Sequence, residues 1–106
     1  MAKYMITGTY TADGLKGLYR DKASGRVTAV QQALEAAGGR LECAYYALGE
    51  FDVVVIADLP DTVVASAVSL AVSATGLIRT RTTALLSVDE TDKALATGIK
   101  YRGPGA

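Results

Sequence analysis

The chain has 106 residues and a mass of 11.0 kDa, enough for one two-layer core and no second catalytic domain. Eleven basic residues balance eleven acidic ones, which gives no basic footprint for nucleic acid and no acidic excess that would favour disorder. Histidine is absent and Cys43 is the one cysteine, so Ser-His-Asp and Cys-His catalysis, Cys/His zinc clusters and an intramolecular disulfide are all excluded.

Lys3 to Tyr10 alternates as a first strand, with Tyr4 and Ile6 on one side and Met5 and Thr7 on the other. Thr11 to Gly25, with Gly14, Gly17 and Gly25, reads as a short helical turn or folded loop. The stretch from Thr9 to Gly17, carrying Tyr10 and Lys16 directly after a strand, is long enough to act as a lid. It lacks the glycine spacing of a Walker loop or a dinucleotide fingerprint. The first full helix is expected from Ser24, where Val27, Val30, Leu34 and Ala37 recur at helical spacing, and Gly38-Gly39 ends it.

A hairpin follows. Arg40 to Leu48 and Asp52 to Asp58 flank the turn Gly49-Glu50-Phe51-Asp52, whose glycine accepts a positive φ. The unbroken run Val53-Val54-Val55-Ile56 marks a strand covered on both faces, hence a central one. Pro60 and Asp61 open a second helix over Thr62 to Thr75, ended by Gly76. No charged residue occurs from 62 to 78, and Thr62, Ser66, Ser69 and Ser73 form its one polar stripe. Either the C-terminal helix or a second subunit is expected to cover this helix. At this length and hydroxyl content it does not suit a membrane span. Leu77 to Leu86 reads as the last strand, and Ser87-Val88-Asp89-Glu90 fits a capping box for a third helix from about Val88 to Thr97. Residues 1–98 then form one domain and 99–106 a flexible tail.

The order β-α-β-β-α-β plus a terminal helix is that of a ferredoxin-like α+β sandwich, with both helices on one face of an antiparallel sheet. A central strand apolar on both sides leaves the second face needing cover, and a second subunit packed sheet to sheet provides it. A homo-oligomer is therefore expected. With one cysteine and no long apolar N-terminal region, a cytoplasmic location is expected as well.

Arg79 and Arg81, two apart on a strand, place their guanidinium groups on one face roughly 7 Å apart, suited to a carboxylate or phosphate. The competing reading pairs them with Glu42, Glu50 or Asp52 across strands or subunits, or leaves them on a solvated edge. Tyr45 and Tyr46 must point to opposite sides of their strand, so one of them can face a pocket, and Tyr46 is taken as that one. Cys43 is read as a small buried hydrophobe. Glu50 and Asp52 are separated by a strand from Asp58 and Asp61, which argues against a shared metal site.

The segment Leu48-Gly49-Glu50-Phe51-Asp52-Val53-Val54-Val55-Ile56, followed by Asp58-Leu59-Pro60-Asp61, resembles the signature of the GYD domain family, named for a Gly-Tyr-Asp motif. The likeness runs from Lys3 to about Asp92 and takes in Tyr10, Gly14, Lys16-Gly17, Gly38-Gly39 and Thr80-Arg81-Thr82-Thr83. Phe51 stands where the family has tyrosine, which keeps the ring and removes the hydroxyl. The resemblance implies a sandwich similar to dimeric α/β barrels and carries over no catalytic residue. The expected function is a homo-oligomeric protein holding a small anionic or aromatic ligand in an inter-subunit cleft, through Arg79, Arg81, Tyr10, Lys16 and Tyr46. No cofactor, metal, nucleic acid or membrane is expected to take part. A cofactor-independent enzyme of the oxygenase or isomerase kind, or a purely structural subunit, is the alternative.

Overall fold

The computed structural model describes residues 1–106. Its elements are β1 (Ala2–Tyr10), α1 (Ala12–Ala36), β2 (Arg40–Tyr46), β3 (Val53–Leu59), α2 (Thr62–Ser73), β4 (Ile78–Leu85) and α3 (Val88–Ala96). The strands form one antiparallel sheet in the order β2-β3-β1-β4. This α+β arrangement is consistent with a ferredoxin-like fold.

The valine run predicts a central strand, and β3 lies between β2 and β1. Val53, Val55, Ala57 and Leu59 are buried on its helix side and, with Tyr4, Leu34 and Ala65, make the core. Val54 and Ile56 point the other way and stay half-buried, since no helix of this chain covers that side. Fully burying a side chain such as Leu34 contributes roughly 1.5–3 kcal/mol, which makes the helix side the half of the sandwich that holds the sheet.

The glycines after β1 do not make a loop. Residues 12–36 are helical, with one break at Lys22. Thr11 caps the start, accepting from the Gly14 amide, while its own amide donates to the Leu77 carbonyl at 3.0 Å. Gly14 is required by proximity: a Cβ there would sit 1.8 Å from the Leu77 carbonyl oxygen. The expected lid over 9–17 is thus a strand end and a capped helical turn. Lys22, at φ 66° and ψ 162°, occupies a region that suits only glycine, and past it the helix follows the pattern predicted from Ser24. Gly38, at φ 82°, ends it as expected.

The hairpin strands are shorter than expected, and residues 47–52 connect them. A bulge at Glu42 leaves Leu41 opposite Ala57 and Cys43 opposite Ile56. In α2, Asp61 caps the Val64 amide at 2.9 Å. Three of its four hydroxyls turn inward: Ser69 and Ser73 meet the Thr80 hydroxyl at 2.8 and 3.0 Å, and Thr62 lies 3.3 Å from the Tyr4 hydroxyl. Its outer side is therefore apolar, with Val63 and Leu70 exposed. The capping box of α3 forms in both directions, but α3 does not cover α2. Every residue from Leu86 to Arg102 is exposed. No helix is long and apolar enough to cross a membrane.

Candidate functional site

The pleat sends alternate residues of each strand to opposite sides, and each side of the sheet carries a concavity. On the helix side a cavity of about 150 Å³ lies between the sheet, the second half of α1 and α2. Small residues leave the space: Gly8 on β1, Ala44 on β2, and Ala29 and Ala33 on α1. A Cβ on Gly8 would come within 2.6 Å of Ile78 Cδ1 and 3.0 Å of Val53 Cγ1. Val27, Val30, Val55 and Val68 complete an apolar lining.

The polar groups of this cavity are few. The Tyr10 and Tyr46 hydroxyls lie 3.4 Å apart, brought together from the ends of β1 and β2. Tyr46 keeps 37% of its surface exposed, and the partial desolvation of its hydroxyl against the apolar wall, with the Tyr10 contact adding to it, raises that hydroxyl above the ordinary phenol range. Arg26, which lines the same space and reaches Asp21 at 3.3 Å across the break in α1, pulls weakly the other way. Tyr46 is thus held protonated and available as a donor.

On the open side a larger, more polar hollow of about 490 Å³ runs along β1 and β4, lined by Met5, Thr7, Thr9, Phe51, Glu50, Arg79, Arg81 and Thr83. Arg79 stands opposite Thr9 and Arg81 opposite Thr7. Neither guanidinium pairs with a carboxylate of this chain, although Glu50 shares the hollow. At the far end of this side Asp58 takes Lys3 at 3.0 Å and Arg40 at 3.1 Å, and Lys3 also bonds Glu42. These contacts hold the Asp58 carboxyl below, and the Lys3 ammonium above, their ordinary ranges.

The five expected ligand residues therefore divide. Tyr10 and Tyr46 meet at the helix-side cavity, Arg79 and Arg81 stand together on the opposite face, and Lys16 lies exposed on α1 at 3.9 Å from Asp13, lining neither hollow. One small molecule cannot touch both pairs through the sheet. Tyr45 is exposed and Cys43 half-buried. In the motif turn, Gly49 takes a φ of 144°, Phe51 lies against the arginine hollow, and Asp52 bonds to β1. Gly8 and Arg26 are not marked out by sequence, and Ser69 and Thr80 stand out there only in a hydroxyl stripe and in the family likeness, not as cavity residues. The pairing of Gly8 with Ala29 and Ala33, small residues at core-facing positions of adjoining elements, is the signal that points to a cavity.

An antiparallel sheet carrying α1 and α2 on one side, over an apolar cavity with a tyrosine pair, defines a small α+β sandwich with room for a ligand. The chain belongs to the GYD domain family, whose family model matches residues 4–95. No curated protein and no solved structure matches it.

Proposed function

We propose that this protein is a homo-oligomeric small-molecule-binding protein whose ligand is a single-ring or similarly small apolar molecule bearing one oxygen substituent. The helix-side cavity is the observation that carries the reading. An apolar cavity of about 150 Å³ is large enough to take up benzene, and this one has that volume. Tyr10 and Tyr46 supply hydrogen bonding for the oxygen, and Arg26 favours a partial or full negative charge on it. A Tyr46 hydroxyl raised above the ordinary phenol range is neither ionised to act as a base nor acidic enough to release its proton readily near neutral pH, which favours binding over acid–base catalysis. The oligomer is supported by the half-buried Val54 and Ile56 on the open side of the sheet. An anion gripped by Arg79 and Arg81 in an inter-subunit cleft would be a second, separate ligand.

Phenol titrated into isotope-labelled protein tests the cavity. Amide shifts are expected at Val27, Val30 and Val68, with affinity reduced about tenfold in the Tyr10→Phe, Tyr46→Phe double variant. Ala33→Leu should abolish binding while the protein stays folded. Shifts absent at millimolar phenol, or confined to β4 around Arg79, would defeat the reading.

A further inference from the structure

We infer that a second copy of this chain covers the open side of the sheet and lays its C-terminal segment, Leu86 to Arg102, over Arg79 and Arg81. The inference rests on the homo-oligomer part of the proposed function and is independent of the ligand.

The segment is built to pack on something outside its own chain. Val88, Leu95, Ile99 and Tyr101 are between 77% and 83% exposed. α3 has nine residues, whereas isolated helices shorter than ~12–15 residues are marginal in water. Val88 and Leu95, seven residues apart, share one side of α3, and Asp92 falls beside them. Asp92 has no basic partner, and Asp89 has only its neighbour Lys93 at 3.2 Å.

The open side is built to receive it. Arg79 and Arg81 are without carboxylate partners at one edge of the sheet. The apolar outer side of α2 is the competing berth, but residues 62–78 offer no charge to the acidic residues of α3. The arm also carries Lys93, Lys100 and Arg102, so the match is local: the acidic residues of α3 suit Arg79 and Arg81, while Glu50 of the same hollow is the acid available to Lys100 and Arg102 at the end of the arm.

Area is compatible with this. Four strands about 4.8 Å apart and seven residues of about 3.3 Å each outline a face of about 450 Å². The seventeen exposed residues from Leu86 to Arg102 would add to the accessible surface a two-fold contact buries, toward the figure of about 800 Å² per partner of a stable interface.

Symmetry allows the contact. A two-fold axis lying between the two sheets and running across the strands places β4 of one copy over β4 of the other with direction reversed. The end of one copy's β4, where Leu86 begins, then sits above the start of the other copy's β4, where Arg79 lies. Both arms engage equivalently.

Analytical ultracentrifugation of the full chain tests this. The wild type is expected to be a dimer at tens of micromolar. Arg79→Glu with Arg81→Glu, and separately Asp89→Arg with Asp92→Arg, should each weaken the dimer by about tenfold or more, and the four changes together should restore it. Restoration guards against simple misfolding. A monomeric wild type, leaving the face to another protein or to the chain's own arm, overturns both the oligomer and the arm. A dimer indifferent to the charge reversals, or one that the combined variant fails to restore, keeps the oligomer and overturns the arm.

Discussion

The backbone amide of Tyr10 donates to the Asp52 carboxylate at 2.8 Å. Asp52 in turn donates its own amide to the Gly8 carbonyl at 2.8 Å and accepts from the Ala47 amide at 2.8 Å. The motif turn is thereby fastened to the end of β1, one residue before α1 is capped and at the residue whose hydroxyl faces Tyr46. Asp52 is best understood as the residue that sets where Tyr10 stands.

Asp52→Ala leaves the Tyr10 amide without its charged acceptor and should cost about 1–3 kcal/mol. For a domain near this size each kcal/mol lowers Tm by about 4–8 °C. Circular-dichroism melting measures it. A loss below 1 °C would mean that the turn does not hold β1.

Acid should weaken the fold through Asp58. Its folded-state carboxyl sits below the ordinary value of about 3.9, held there first by Lys3 and then by Arg40. The contribution is present above about pH 4 and is lost as pH falls through the lowered folded value. Asp58→Asn should therefore lower Tm at pH 7 and leave a smaller Tm difference from wild type at pH 2. Parallel curves at both pH values would assign the loss to packing alone.

Lys22 stores backbone strain, since φ 66° with ψ 162° suits glycine. Lys22→Gly should raise stability by about 1 kcal/mol, the strain relieved exceeding the added unfolded-state entropy. Urea midpoints at an unchanged slope would report it. A lower midpoint would show that the Lys22 side chain contributes more than its backbone costs.

Gly14→Ala should be among the most damaging single changes. The new methyl would collide with backbone, the Leu77 carbonyl, which cannot rotate aside as a side chain can. Separation of the α1 start from the β4 approach is the expected response, with a loss of about 3 kcal/mol or more. Gly17→Ala, where nothing lies within 4 Å, is the matched control and should be neutral or slightly stabilising.

How much could be read in advance depended on whether a feature was local. Val53 to Ile56 announced a central strand because an unbroken apolar run needs cover on both sides, and Ser87 with Glu90 announced a helix start through side chains three residues apart. The first half of α1 reads in sequence as no more than a short helical turn or folded loop because Gly14 and Gly17 lower helix propensity, and the close approach of Leu77 that makes Gly14 necessary comes from 63 residues away. The tyrosine pair was similarly hidden. Tyr10 and Tyr46 were each singled out, but their meeting depends on strand register and on β3 lying between β1 and β2. The arginine pair was correctly placed on one face by the two-residue period, while which face the helices would take was a tertiary matter.

The glycine at position 8 keeps the cavity of this chain open. Its missing side chain lets Ile78 stop short of the α1 alanines, and the nearest obstacle to a methyl there is the tip of that isoleucine, a mobile group that would yield toward the empty space. The Gly8→Ala variant of this chain would be expected to fold the same sandwich and fill its own pocket. In this chain, the residue at this one position thus decides whether the proposed cavity stays open or the sandwich keeps its architecture alone.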